Sequence, residues 1–202
     1  ANNVKIEGGS VTMKSYFEPY NPSSDITNYT QTGGDLIINS TSSSIPLLFN
    51  VGSSFNMSGG SIIIQKASGA TCEYQNLAGT SNVTGGTLQI GGATGSPVIR
   101  INSTAPIYNL TVIATGTPTA QLLTNPLTVI GDVTMGSNAK IDANSLNLSV
   151  GGNWINNGGS LTTPLTGTVT FNGTTAQSIA GSSNTTFNNL TIDNKNPHNP
   201  IR

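Results

Sequence analysis

Residues 55–64 read FNMSGGSIII, and the same arrangement occurs three more times in the first half of the chain. Residues 4–13, 29–38 and 81–90 read VKIEGGSVTM, YTQTGGDLII and SNVTGGTLQI. The starting positions are therefore almost evenly spaced, and each stretch has a glycine pair at its centre with apolar residues on both sides. A repeat of this length is typical of a solenoid, in which each unit buries its apolar face against its neighbours.

The apolar residues of these stretches alternate with polar ones, as in Leu88-Gln89-Ile90. Such alternation, bounded by Gly, Asn and Pro, is typical of β-strands, whereas the spacing of an amphipathic helix is missing. We therefore predict an all-β fold, a parallel β-helix (β-solenoid). Two residues, Gln31 and Ser81, do not suit the apolar interior. The predicted inward columns are Val4/Tyr29/Phe55, Ile6/Gln31/Met57/Val83, Val11/Leu36/Ile62/Leu88 and Met13/Ile38/Ile64/Ile90.

A second, shorter period runs through the C-terminal half. We predict about 26 residues per turn over residues 1–92 and about 21 over residues 127–194, with about eight to ten rungs at the usual strand spacing. Residues 93–126 carry four prolines and are expected to be a joint within the same stack; residues 195–202 are expected to be a tail or a link to a further segment. The columns with the shorter period are Leu127/Leu148/Val169/Leu190 and Val129/Val150/Phe171/Ile192, both expected to face inward, and Gly131/Gly152/Gly173/Asn194.

Composition excludes several classes of partner. About half of the chain is Gly, Thr, Asn or Ser, only 7% is charged, and the net charge is −1. Because there is no basic field, we expect neither a nucleic-acid partner nor an anionic membrane surface. No apolar run approaches the roughly 20 residues of a membrane-spanning helix, so no membrane insertion is expected. The single cysteine, Cys72, excludes an internal disulfide framework.

The acidic residues do not form a catalytic pattern. No two lie closer than seven residues apart, and the repeat alignment brings no two into one column, whereas glycoside hydrolysis needs a carboxylate pair. One histidine, His198, and one cysteine cannot make a zinc site. We therefore expect no enzymatic activity, no catalytic residue, no metal and no cofactor. The acids are Glu7, Glu18, Asp25, Asp35, Glu73, Asp132, Asp142 and Asp193.

Two features could contact a ligand or a surface. The first is an outward column of hydroxyl side chains, each able to hydrogen-bond its neighbour along the sheet: Thr128, Ser149, Thr170 and Thr191. The second is an aromatic insert that contains Tyr16, Phe17 and Tyr20. Its rings could stack on a sugar, or they could pack over the open end of the solenoid. Trp154 has the same two interpretations.

Four stretches of the C-terminal half carry a resemblance to known repeats. They are LTVIGDVT from Leu127, LSVGGNW from Leu148, GTVTFNGT from Gly167 and FNNLTIDN from Phe187. This part, about a third of the chain, resembles repeats of large Bacteroidetes cell-surface proteins, which are often exported by the type IX secretion system and include gliding-motility proteins and adhesins. The resemblance implies a right-handed parallel β-helix or similar solenoid and an extracellular, cell-surface location. It brings no catalytic motif.

Three functions remain open from the sequence. We favour a non-enzymatic structural or adhesive segment of a bacterial cell-surface or extracellular repeat protein, acting as a rigid rod. Its partners would be a polysaccharide, another cell surface, further segments of the same longer chain or neighbouring copies. The alternative is a carbohydrate-active domain of the polysaccharide lyase or hydrolase kind, which needs an acid cluster on one face and turnover that substitution of Asp132 or Glu18 abolishes. A lower alternative is an ice-binding protein, which needs at least two regular threonine columns side by side.

Overall fold

The computed structural model describes residues 2–17, 26–162 and 166–196 of the 202-residue chain. The described residues form twenty β-strands and no helix. In chain order the strands are β1 (Asn2–Ile6), β2 (Ser10–Met13), β3 (Thr27–Gln31), β4 (Asp35–Ile38), β5 (Leu47–Phe49), β6 (Ser54–Ile64), β7 (Tyr74–Asn76), β8 (Thr80–Ile90), β9 (Val98–Ser103), β10 (Asn109–Val112), β11 (Thr119–Leu122), β12 (Leu127–Val129), β13 (Val133–Met135), β14 (Lys140–Asp142), β15 (Leu148–Val150), β16 (Trp154–Asn156), β17 (Ser160–Thr162), β18 (Thr168–Phe171), β19 (Ile179–Ala180) and β20 (Asn189–Ile192).

The strands stack into three parallel sheets. The largest has ten strands and follows the order β1-β3-β6-β8-β10-β13-β16-β19, with β2 and β4 beside this path. The second follows β17-β14-β11-β9-β7-β5, and the third follows β12-β15-β18-β20. Eight strands succeed one another along the largest sheet, which gives about seven turns. The predicted parallel β-solenoid is confirmed, at the lower end of the expected number of rungs.

Each turn of the chain passes through three faces of the solenoid. The first face consists of β1, β3, the first halves of β6 and β8, and then β12, β15, β18 and β20. The second face consists of β2, β4, the second halves of β6 and β8, and then β10, β13, β16 and β19. The third face consists of β5, β7, β9, β11, β14 and β17. The glycine pairs lie at the corner between the first and second faces.

The strand registers confirm the two predicted periods. Tyr29 pairs with Val4 and with Phe55, its counterparts in the repeats before and after it. Thr170 pairs in the same way with Ser149 and with Thr191, which follow the shorter period. The segment expected to be a joint contains β9, β10 and β11, which pair with strands on both sides. On the third face the shorter period already begins between β9 and β11.

The first face has a step where the wider turns meet the narrower ones. Strand β8 pairs with β6 over most of its length, but with β10 only over its last four residues. The next segment on this face, around Ile107, bridges to β12. Residues 80–82 are therefore exposed. Ser81, in line with the buried Phe55, faces solvent at the step, which explains why a polar residue occupies this column.

The interior is a continuous apolar core, and most of the predicted inward residues are buried in it. The predictions for Val11, Leu190 and Ile192 were wrong: these side chains are 46%, 44% and 50% exposed. They lie in the first or last described rungs, where a neighbouring rung covers them from one side only. Predicted inward residues that are buried are Ile6, Tyr29, Leu36, Ile38, Phe55, Met57, Ile62, Ile64, Val83, Leu88, Ile90, Leu127, Val129, Leu148, Val150, Val169 and Phe171.

Glycine is required at the corner between the first and second faces because successive rungs approach closely there. Gly34 and Gly60 have φ angles of +69° and +77°, a backbone conformation that disfavours any residue with a side chain. A Cβ atom on Gly60 would lie 2.3 Å from the carbonyl oxygen of Gly34. The second glycine of these two pairs therefore marks a position where both the dihedral angle and the space exclude other residues.

Gln31 is buried at the same corner, and its polar atoms are satisfied by the rungs around it. Its amide nitrogen donates to the carbonyl oxygens of Gly34 (2.9 Å) and Ser61 (3.1 Å). Its amide oxygen accepts the hydroxyl of Tyr29 at 2.7 Å. A buried polar group costs little when it is hydrogen-bonded. The apparent misfit in the inward column therefore joins the corner after β3 to β6 of the next rung.

Replacing Gly60 with alanine should lower the free energy of unfolding by at least about 2 kcal/mol, because positive φ and the contact with Gly34 both oppose a Cβ atom. The matched control is Gly8→Ala, since a Cβ atom on Gly8 meets no atom within 4 Å. Urea unfolding followed by circular dichroism measures both variants. Equal stability of the two variants would contradict the steric argument.

Replacing Ile64 with alanine should cost about 2–5 kcal/mol of unfolding free energy, because this fully buried side chain leaves a cavity in a middle rung. The neighbouring Ile63 points outward and is half-buried, so Ile63→Ala is expected to cost clearly less. The comparison uses the same urea titration. A larger loss for Ile63→Ala would mean that the inward and outward assignments of this strand are reversed.

Candidate functional site

The predicted hydroxyl column lies on the first face of the C-terminal half. Thr128, Ser149, Thr170 and Thr191 pair in register across β12, β15, β18 and β20. The first and last of these are exposed and the middle two are half-buried, while the flanking Leu127 and Val129 are buried. Within the described residues the four side-chain hydroxyls form no hydrogen bond with one another. Their donors and acceptors therefore point to solvent, where a ligand could use them.

A shallow depression of about 240 Å³ adjoins this column at the corner. Its residues are uncharged, and they are Thr128, Val129, Ile130, Gly151, Asn172, Gly173 and Thr174. A Cβ atom on Gly173 would lie 2.2 Å from the carbonyl oxygen of Gly151, so the rungs meet closely here as well. Hydroxyl and amide groups beside a partly apolar floor suit a neutral, hydroxyl-rich ligand.

Side-chain oxygens on the second face, just past the corner, tie the rungs of this half together. Asn109 Oδ1 accepts the backbone N–H of Asp132 at 2.8 Å, and Asp132 Oδ1 accepts the backbone N–H of Asn153 at 2.6 Å. Asn153 Oδ1 in turn accepts the backbone N–H of Ser178 at 2.9 Å. The Asp132 carboxylate, a candidate acid of the enzymatic alternative, therefore has a structural role in this ladder.

Gln177 repeats in the C-terminal half the role that Gln31 has in the first. It is buried, and its amide nitrogen donates to the carbonyl oxygens of Val150 (2.9 Å) and Gly152 (2.7 Å). Its amide oxygen accepts the backbone N–H of Gly173 and the side-chain amide of Asn194. The corner beside the depression is therefore held by buried hydrogen bonds, which keeps its outer residues in fixed positions.

The aromatic insert is only partly a surface feature. Phe17 is half-buried, and its ring centroid lies 6.2 Å from that of Tyr29 and 5.8 Å from that of Phe49. Tyr16 is 45% exposed. Tyr20 lies outside the described residues. Phe17 therefore covers the N-terminal end of the core, and Tyr16 is the insert's exposed ring among the described residues.

Trp154 is fully buried and belongs to the core. Its ring centroid lies 5.3 Å from that of Phe187 and 6.5 Å from that of Phe171. Its indole N–H donates to Thr185 Oγ1 at 2.9 Å. Because the ring is enclosed, it is not available to stack on a sugar.

A buried ion pair that the sequence did not predict joins two neighbouring rungs on the third face. Glu73 is buried, and Arg100 donates to it through Nη2 (2.7 Å to Oε1) and Nε (3.1 Å to Oε2). The backbone N–H of Arg100 donates to Oε2 at 2.6 Å, and Ser68 donates to Oε1 through its backbone N–H and its hydroxyl. This carboxylate raises the pKa of the Arg100 guanidinium.

The residue spacing between β7 and β9 is the sequence feature that could have revealed this pair. These strands pair at a step slightly longer than that of the glycine repeats, so Glu73 and Arg100 become neighbours just before Tyr74 and Ile101. The two periods taken from the glycine and leucine columns do not align them. A separate period for the third face would have found the pair.

Cys72 lies beside this ion pair as a buried thiol. Its sulfur lies 3.1 Å from the carbonyl oxygen of Tyr74 and 3.2 Å from that of Arg100. Burial raises the pKa of the Cys72 thiol to about 11. The thiol is therefore protonated at neutral pH, and it is a packing residue rather than a nucleophile.

In the described part of the chain, no three His, Cys, Asp or Glu side chains come together as a metal-binding group. Glu18, Asp25 and His198 lie outside the described residues. No helix that could span a membrane occurs in the same residues.

Replacing Arg100 with alanine should lower the unfolding free energy by about 3 kcal/mol or more, because it leaves the Glu73 carboxylate buried without its partner. The double variant Glu73→Gln/Arg100→Met should recover part of this loss. Lys5→Ala is the control, since the Lys5–Glu7 pair is solvent-exposed and should contribute nothing measurable. Chemical unfolding of the four proteins tests this; equal losses for Arg100→Ala and Lys5→Ala would contradict it.

Comparisons with known proteins give no relative for this chain. No protein-family model matches it, and no curated protein and no solved structure is significantly similar to it.

Proposed function

We propose that this chain is a structural and adhesive segment of a bacterial cell-surface or extracellular repeat protein, a rigid rod without enzymatic activity. The observation that carries the proposal is the hydroxyl column of the first face. Its four side chains stand in register on consecutive strands, they are not bonded to one another, and they adjoin an uncharged depression. Neutral hydroxyls in such an array suit the hydroxyl groups of a polysaccharide or a glycan-covered cell surface.

The interior supports the rod-like part of the proposal. Backbone ladders connect each rung to the next, and Gln31, Gln177 and the Glu73–Arg100 pair join residues of different rungs. Such bonds fix the spacing of the outer side chains. A repeated surface can then hold a repeated ligand through many weak contacts, so that overall affinity exceeds that of each contact.

The proposed location and export route rest on the sequence resemblance of the C-terminal repeats to Bacteroidetes surface proteins. We propose a cell-surface position, reached by type IX secretion, with a role in attachment or gliding. Further segments of the same longer chain or neighbouring copies would extend the rod. The neutral exterior agrees with a polysaccharide partner rather than a nucleic acid.

The two alternatives have less support from the described residues. Asp132 is engaged in the ladder beside the corner and Glu73 in the buried ion pair, so neither carboxylate is placed for acid–base work. The residues next to the hydroxyl column toward the corner are Ile130, Gly151, Asn172 and Asp193, so no second threonine column adjoins it there for an ice-binding face.

The test removes the hydroxyl column while keeping its shape, and measures binding of the fluorescently labelled protein to bacterial cells and to immobilised polysaccharides. The variant is Thr128→Val/Ser149→Ala/Thr170→Val/Thr191→Val. We expect the unmodified chain to bind without releasing soluble sugars, and the variant to bind at least about tenfold more weakly, as loss of several hydrogen bonds implies. Chromatography of the supernatant detects any cleavage.

The control variant removes hydroxyls from the outward column of the second face through Thr12→Val, Thr111→Val and Thr134→Val. It should bind like the unmodified chain. Release of oligosaccharides would show an enzyme and overturn the proposal. Equal binding by the column variant and the unmodified chain would remove the column from the contact surface.

A further inference from the structure

A second depression lies on the first face of the N-terminal half, away from the hydroxyl column. Its volume is about 260 Å³, and its residues are Thr30, Gln31, Asn56, Met57, Ser58, Asn82 and Thr84. They come from three consecutive strands, β3, β6 and β8, at the edge next to the glycine corner.

A β-bulge opens this depression. Met57 pairs with Val83, but the next residue, Ser58, pairs with Gly85, so Thr84 is left without a partner opposite it. The regular register returns at Ser61, which pairs with Thr87. A bulge bends its strand and redirects the side chains beside it, and bulges are frequent at sheet edges and next to active sites. Here it directs the exposed Thr84 side chain to the rim of the depression.

The side chains at the rim have free hydrogen-bonding groups, unlike those of the adjacent outward column. In that column Asn28 donates to Asn3 Oδ1 at 2.9 Å and accepts from Ser54 Oγ at 2.9 Å. Among the described residues, the side-chain amides of Asn56 and Asn82 form no hydrogen bond. They stand on adjacent strands in direct register, so they are about 4.8 Å apart along the rod.

The floor of the depression is fixed and partly apolar. Met57 lies at the floor with its side chain buried in the core, while the Gln31 amide is fully used by its three bonds within the corner. A sugar ring has an apolar face and a polar edge. An apolar floor surrounded by amides and hydroxyls, which both donate and accept, suits that combination.

Charge limits the kind of sugar. None of the residues that form the depression is ionised. The closest charges in the same columns are Lys5 and Glu7, one rung before Thr30, and they pair with each other at 2.8 Å. A uronate, sulfate or phosphate group would find no cation within the depression, so an acidic polysaccharide would not be favoured there.

We propose that this depression binds one sugar residue of a neutral polysaccharide, whose chain runs along the rod across successive rungs. The inference rests on the proposed adhesive function and assigns it a site and a ligand class. Asn56 and Asn82 bind hydroxyl groups on neighbouring rungs, and Thr84 closes the rim. The hydroxyl column of the C-terminal half lies on the same face and would contact the same chain further along.

The experiment measures binding of the full chain to two sets of probes by affinity electrophoresis: neutral glucan, mannan and galactan, and the acidic polygalacturonate and alginate. The variant is Asn56→Ala/Asn82→Ala. The matched control is Gln89→Ala/Thr111→Val, which removes an amide and a hydroxyl from adjacent rungs of the second face. Thermal unfolding by circular dichroism establishes that both variants keep the fold.

We expect retardation by at least one neutral polysaccharide and not by the acidic ones. The Asn56→Ala/Asn82→Ala variant should lose roughly tenfold in affinity, the effect of removing two neutral hydrogen bonds, and the control should lose none. Unchanged binding by the variant, or stronger binding to the acidic probes, would overturn the site. No retardation by any probe would overturn it as well.

The hydroxyl-column variant separates this inference from the proposed function. If that variant loses cell binding while Asn56→Ala/Asn82→Ala does not, the adhesive function stands and this site is wrong. If the unmodified chain does not bind cells at all, the adhesive function itself fails. Binding of an uncharged extended peptide in place of every polysaccharide would overturn the sugar assignment.

Discussion

The close approach of successive rungs at one corner is the constraint on which this structure depends. Between the first and second faces the backbone turns with positive φ, and a Cβ atom on Gly34 or Gly60 would collide with the backbone of the rung before it. Stacking at the spacing of a β-ladder leaves no room for side chains there. The glycine pairs are therefore the condition for continuous sheets on both faces.

The two halves of the chain satisfy this constraint in different ways. The first half uses glycine pairs whose second glycine has positive φ, held by the Gln31 amide. The second half uses glycines without positive φ, held by Gln177 and by the ladder of side-chain oxygens from Asn109 through Asp132 to Asn153. In both halves buried or half-buried polar side chains form hydrogen bonds with backbone groups of the corner. The corner therefore remains narrow on the outside, and the two shallow depressions of the first face form beside it.

The sequence was sufficient for features that repeat with one period. Glycine and apolar columns predicted the solenoid and both registers, because a stacked fold copies each position from rung to rung. It was insufficient where a side chain forms hydrogen bonds or an ion pair with a residue of another rung. Gln31 looked misplaced because its partners, the carbonyl oxygens of Gly34 and Ser61, cannot be read from residue types. Glu73 and Arg100 were missed because the third face has its own, longer spacing there.

The step on the first face has a mechanical consequence. Elsewhere along the described rungs, a pull along the rod is shared by hydrogen-bonded ladders on the faces of the solenoid. At the step, residues 80–83 have a partner strand on one side only, so the second and third faces carry the load across this level. A pull along the solenoid crosses this level on two ladders, whereas the level just before it is joined on all three faces, so the boundary between the wider and narrower turns is mechanically weaker than the rungs that precede it.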